Sequence, residues 1–217
     1  MTVLSRRAFG TAATAAAATL LVGCSSDGEG VRTSGTATSP SASAPASKNA
    51  PASTNTSAKS VPAVGRSAPV RLRIPAIGVD TPVMRLGLAP DRTVEVPPVT
   101  DHDQAGWYEK SPTPGQTGPS VILGHVTVGS YGDGVFHDLG RLRRGEKIVA
   151  RLENGTETEF TVTSLRTVAK ADFPADDVYG NVDRPELRLI TCGGPRDENG
   201  YLDNVIVFAA LTSSTSP

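Results

Sequence analysis

Beyond Ser60 the apolar residues come in short runs closed by glycine, proline, aspartate or asparagine, and this punctuation restricts the chain to brief strands joined by turns. A helical bundle would need apolar positions recurring about every 3.6 residues over many turns, and no such stretch is sustained here. Val70-Arg71-Leu72-Arg73-Ile74-Pro75 alternates apolar and basic residues at the strand period, then stops at a proline. Similar runs predict strands at Ser120–Leu123, Lys147–Leu152, Glu159–Val162, Leu187–Thr191 and Val205–Ala210, and Asn154-Gly155 is a hairpin signal. One short helix is expected around Val135–Leu142. The fold class is therefore all-β, a barrel or a sandwich.

The first third of the chain has a different composition. Arg6-Arg7 precedes an Ala-rich apolar stretch from Ala12 to Val22, the layout of an export signal of twin-arginine type. That stretch falls short of the roughly 20 apolar residues that cross a bilayer. Leu21-Val22-Gly23-Cys24 looks like a lipobox, which makes Cys24 the expected lipidation site and residues 1–24 the signal peptide. Residues 25–66 are rich in Ser, Ala, Thr and Pro, with Val31 the only branched-aliphatic or aromatic residue between Ser25 and Ser60. Such a segment cannot bury enough apolar surface to offset its ordering entropy, so it is expected to be a disordered stalk. A flexible coil of that length has an r.m.s. reach of roughly 30 Å. The folded domain is expected over residues 67–212, and residues 213–217 form a short disordered tail. The protein would then sit on the outer face of the cell membrane, held by a lipid.

With 21 basic and 22 acidic side chains the formal net charge is -1, which offers no broad positive field and argues against a nucleic-acid partner. The chain has two cysteines. If Cys24 carries lipid, Cys192 has no disulfide partner in an oxidising compartment, and is either buried and inert or kept free because it reacts.

Two predicted strands end in reactive side chains. Ser120-Val121-Ile122-Leu123 stops at Gly124-His125, and Leu187-Arg188-Leu189-Ile190-Thr191 stops at Cys192-Gly193-Gly194. A strand end fixes the backbone while the loop beyond leaves room for a substrate. A thiol must become thiolate to attack a carbonyl, and histidine moves protons near neutral pH. Sequence separation alone does not say whether these two residues meet.

The stretch from Arg71 to Ala209 resembles the sortase family, the cysteine transpeptidases of Gram-positive cell surfaces, and among them the actinobacterial class F type. The resemblance rests on Leu72-Arg73-Ile74-Pro75-Ala76-Ile77-Gly78-Val79, Ala105-Gly106-Trp107-Tyr108, Ile122-Leu123-Gly124-His125, Leu189-Ile190-Thr191-Cys192-Gly193-Gly194 and Tyr201-Leu202-Asp203-Asn204-Val205-Ile206-Val207, in that order. It implies an eight-stranded β-barrel with one or two short helices. It also implies that Cys192 attacks a carbonyl within the sorting signal of a surface protein to form a thioester. His125 would protonate the leaving amine and then deprotonate an amine acceptor, a wall precursor or a pilin. No metal or organic cofactor is implied. Sortases usually carry an arginine at the start of the last strand, and the aligned residue here is Asn204. Either Asn204 or Arg196 would have to steady the oxyanion, and the sequence does not choose between them.

The remaining polar and aromatic residues suit structural roles. His102 lies in a polar turn and is expected in solvent, His137 is expected at the surface or as a cap, and Trp107 and Tyr108 are expected to fill a core or groove wall. Asp172, Asp176 and Asp177 form an acidic loop that reads as solvated. Three other functions compete with the transpeptidase. A peptidase would use water as acceptor, and a non-catalytic lipoprotein would use the groove only to bind peptide. An L,D-transpeptidase would need its His and Cys close in sequence, which these are not.

Overall fold

The computed structural model describes residues 61–198 and 200–217, so the expected signal peptide, Cys24 and the stalk as far as Ser60 lie outside the described residues. Strand β1 (Pro69–Ile74) shows the rule the others follow. Its apolar Leu72 and Ile74 are fully buried, while Arg71 and Arg73 turn outward and reach Asp80 at 2.6 Å and Glu157 at 3.1 Å. A tight turn with Gly78 in the left-handed region (φ 67°) returns the chain into β2 (Val79–Leu86). Strands β3 (Ala105–Tyr108), β4 (Gly118–Leu123), β7 (Lys147–Leu152), β8 (Glu157–Ala169), β9 (Pro185–Asp197) and β10 (Gly200–Thr215) complete a closed barrel in the order β1-β2-β3-β4-β9-β10-β8-β7. Two short strands, β5 (Thr127–Val128) and β6 (Gly132–Asp133), form a separate ribbon directly after His125. The protein is thus all-β, and closure leaves the main sheet without a free edge.

Side chains pointing inward fill the barrel: Leu72, Ile74, Trp107, Ile122, Phe136, Phe160, Leu187, Leu189 and Val207 are all within one buried cluster. Trp107 meets its polar requirement there by donating from Nε1 to Ser111 Oγ and to the Pro112 carbonyl, each at 3.1 Å. A second apolar layer covers the outside of β4, β9 and β10, where Val121, Ile190, Ile206 and Phe208 pack under Val178. Val178 belongs to α1 (Ala175–Tyr179), a single turn in the connection from β8 to β9. A buried ion pair fastens α1 to the sheet. Arg188, 3% exposed, donates to Glu186 at 2.5 Å and to the Asp177 carbonyl at 3.2 Å, and stacks on the Phe208 ring at 4.6 Å.

Three expectations need correction. The helix expected at Val135–Leu142 is only a 3₁₀ turn at Leu139–Arg141. The later amides of that stretch bond three residues back instead of four, His137 N to the Gly134 carbonyl at 3.0 Å, Leu139 N to that of Phe136 at 3.1 Å and Leu142 N to that of Leu139 at 3.2 Å, so only tight turns form. The expected tail is mostly strand, since Ser213, Ser214 and Thr215 pair with Glu159, Thr158 and Glu157. Threonine-rich polar sequence is compatible with a strand when a neighbouring ladder is on offer. The last residues assigned to the stalk lie against the barrel: Val64 N donates to the Gly115 carbonyl at 2.9 Å, and Arg66 stacks over Trp107 at 5.6 Å.

Candidate active site

Strand register brings the two reactive strand ends together. Strands β4 and β9 run parallel with Leu123 opposite Ile190, and Gly124 N donates to the Ile190 carbonyl at 3.1 Å, extending the ladder past the end of β4. His125 follows Leu123 by two residues and Cys192 follows Ile190 by two, so the two residues lie at about the same backbone level, Cys192 within β9 and His125 just past the end of β4. On the other side of β9, Asn204 of β10 pairs directly with Cys192.

The alternation of side chains decides which face they use. Leu187 and Leu189 fill the barrel, whereas Ile190 lies in the outer layer, so Cys192 shares the outer face with Ile190. By the same rule Asn204 follows Ile206 outward. The thiol is half-buried, neither sealed in the barrel core nor fully exposed, and it is free. Leu123, Val168, Phe173 and Tyr108 are partly buried around the outer layer, giving an apolar floor beside the thiol. Tyr108 meets Tyr179 of α1 edge-on at 6.3 Å, and burial pushes the Tyr179 phenol above its ordinary pKa.

Close packing seats His125. Gly124 has no room for a side chain, because a Cβ there would lie 2.6 Å from both Phe136 Cδ2 and Val135 Cγ1. On the same principle a Cβ at Gly193 would lie 2.7 Å from Val205 Cγ2. The imidazole itself is half-buried, and its Nε2 lies 2.6 Å from the carbonyl oxygen of Pro97.

The two candidate oxyanion donors sit differently. Asn204 is opposite the thiol, with its amide nitrogen 3.4 Å from the Thr191 carbonyl. Arg196 is exposed, further out on the same hairpin, and its guanidinium lies over the Tyr201 ring at 4.7 Å. The Tyr201 hydroxyl in turn meets Thr127 Oγ1, two residues beyond His125. Arg196 is therefore linked through Tyr201 to the segment just after His125, whereas Asn204 stands on the strand beside Cys192.

His102 departs from expectation. It is half-buried, its Nδ1 is enclosed with no hydrogen-bond partner, and its ring lies 5.7 Å from that of Tyr131. His137 is a surface residue whose Nδ1 lies 3.1 Å from Asp133. Trp107 is a core residue and Tyr108 part of the outer layer. Asp177 pairs with Arg166 at 2.6 Å, and among the described residues no group of three His, Cys, Asp or Glu side chains converges to hold a metal ion. The Pro97 carbonyl, the Tyr201–Thr127 contact and the Arg188–Glu186 pair were not foreseen from sequence.

A sortase-domain family model matches residues 72–212, more than half of the chain. Among solved structures, an SrtA sortase from Actinomyces oris superposes with a TM-score of 0.52 at 25% identity, covering 70% of this chain and 84% of that one. A sortase A from Listeria monocytogenes gives 0.52 at 18% identity, covering 69% and 91% of the two chains. A pilus-related sortase C of Group B Streptococcus gives 0.51 at 17% identity, covering 69% of each. No curated protein sequence matches the chain significantly.

Proposed function

The chain belongs to the sortase family of cysteine transpeptidases, and we propose that it is a class F-like member using Cys192 as nucleophile and His125 as acid and base. The observation that carries this reading is the backbone level that Cys192 in β9 and His125 just past β4 share on adjacent parallel strands, beside the apolar outer layer.

The chemistry runs in two halves. The Cys192 thiol loses its proton to the imidazole, and the thiolate attacks the carbonyl carbon of a peptide bond in a sorting signal. Collapse of the tetrahedral intermediate breaks the C–N bond, the departing amine takes the proton from His125, and a thioester remains on Cys192. An incoming amine, from a wall precursor or a pilin, then gives up a proton to His125 and attacks the thioester, restoring the thiol. Dividing one amide exchange into two steps lowers each barrier.

Asn204 is the oxyanion donor in this reading, because it stands directly across the ladder from the thiol, while Arg196 is exposed and stacked on Tyr201. An amide supplies a hydrogen bond without a charge. The protein works outside the membrane, tethered through lipid on Cys24, by virtue of its export signal and lipobox.

Incubating the full chain with a library of sorting-signal peptides and an amine tests the activity by mass spectrometry. Cleavage with the amine joined to the new carboxyl end is the expected result. Hydrolysis alone, whatever amine is added, would make the protein a peptidase, and no cleavage of any peptide would leave it a binding module.

A further inference from the structure

The connection from β2 to β3, residues 87–104, reaches the catalytic histidine through a backbone atom. Its near foot is a hydrogen-bonded loop: Ala89 N donates to the Thr93 carbonyl at 2.9 Å, Arg92 N to that of Ala89 at 2.8 Å, Leu88 bridges Val94, and Gly87 N donates to the Glu95 carboxylate at 2.7 Å. Its far foot is pinned by Thr81 Oγ1 donating to the Asp103 carbonyl at 2.8 Å and by Val135 N donating to that of His102 at 2.9 Å. Pro97 and Pro98 span the interval between these feet. Proline fixes φ near −65° and has no N–H to satisfy, so the pair is a stiff bridge; the Pro98 carbonyl accepts from Asp101 N at 2.9 Å, and that of Pro97 turns to the histidine. Pro97 is buried although Val96 and Val99 beside it are 58% and 50% exposed, and its carbonyl oxygen lies 2.6 Å from His125 Nε2.

A carbonyl oxygen can only accept, so Nε2 carries the hydrogen of this bond. A neutral imidazole has one N–H, which leaves Nδ1 as the nitrogen with a free lone pair. We propose that Pro97 is a positioning residue: its carbonyl locks the ring plane and tautomer of His125 and so assigns Nδ1 as the nitrogen that exchanges protons with Cys192 and with the amines. The proposal rests on the reading of His125 as the acid and base. In each half-reaction one proton moves on and off Nδ1 while the other hydrogen stays on Nε2, donated to the Pro97 carbonyl. The opposite tautomer would set the Nε2 lone pair against the carbonyl lone pairs and waste the preorganisation of the strap.

The test uses ¹⁵N-histidine-labelled full chain and long-range ¹H–¹⁵N spectra at alkaline pH, where an ordinary histidine is neutral. The chain has 3 histidines, and the signal absent from His125→Gln identifies the ring in question. A protonated Nε2 and a bare Nδ1 are expected in the wild type. Two variants release the contact, the double substitution Pro97→Gly/Pro98→Gly and a chain in which an α-hydroxy acid replaces Pro98, which weakens the Pro97 carbonyl as acceptor with the strap left in place. Both are expected to mix the tautomers and to lower kcat about tenfold or more, with KM nearly unchanged. A wild-type ring protonated on Nδ1 overturns the proposal, as do an unchanged tautomer and unchanged kcat in the ester chain. A wild type with the expected ring but no turnover upholds the contact and overturns the catalytic reading beneath it.

Discussion

Asn204 stands across the ladder from the thiol where sortases usually carry an arginine, so the oxyanion would be met by a dipole instead of a charge. Removing one such donor typically costs about 10²–10³ in kcat. Asn204→Ala is therefore expected to lower kcat by about two orders of magnitude with KM little changed. Arg196→Ala, at an exposed guanidinium stacked on Tyr201, is expected to cost much less, and steady-state kinetics on the two variants would reverse the assignment if the larger loss fell on Arg196. His125, Cys192 and Asn204 were all legible as residues, because each lies in or just beyond an apolar strand run. Their shared level was not. It depends on the parallel pairing of β4 with β9, which joins segments far apart in the chain and leaves no local mark. Nor could the Pro97 contact be read, because the group involved is a main-chain oxygen, common to every residue.

Among the elements, the segment after β4 shows how packing positions chemistry. Phe136 is fully buried, its amide donates to the His125 carbonyl at 2.8 Å, and its ring closes over Gly124. Gly124→Ala forces a methyl group into that contact and is expected to destabilise the fold by about 1–3 kcal/mol while lowering activity, since the ring can only yield by shifting the histidine segment. Thermal denaturation and kcat measured on one sample check both. The strap before β3 carries a pH dependence. Asp91 accepts hydrogen bonds from the side chain and backbone of Thr93, which hold its carboxyl below the usual carboxylate range. A depressed folded pKa means this contribution is complete above the ordinary carboxylate pKa and is lost as pH falls through the lower folded value. The protection of the Thr93 amide relative to its intrinsic exchange rate should therefore fall on acidification, and should stay constant with pH in Asp91→Asn. Strands β1 and β7 were legible to within a residue because their alternation is clean. β2 was missed because Pro82 and its polar residues break the pattern, and the β9–β10 hairpin runs further than expected because Gly193-Gly194-Pro195 reads as a loop until β10 pairs with it.

For the molecule as a whole, the described chain joins the barrel beside Gly115, near the start of β4, while His125 lies just past the other end of β4 and Cys192 lies within β9, two residues beyond the partner of Leu123. Cys24→Ser is expected to abolish fatty-acyl labelling and move the protein out of the membrane fraction, and retention of both would refute lipid anchoring through that thiol. The all-β class was readable from the run lengths and the barrel only from the family resemblance, whereas strand order depends on long-range pairings that only the folded chain displays. The most direct test of the account is the intact mass of the full chain after brief exposure, without acceptor amine, to an intact sorting-signal peptide that the chain has been found to cleave. It should rise by the mass of the peptide's acyl portion, fall back on adding hydroxylamine, and show neither change in Cys192→Ala. An adduct that survives in Cys192→Ala, or a cleaved peptide with no adduct on the wild-type chain, would contradict it.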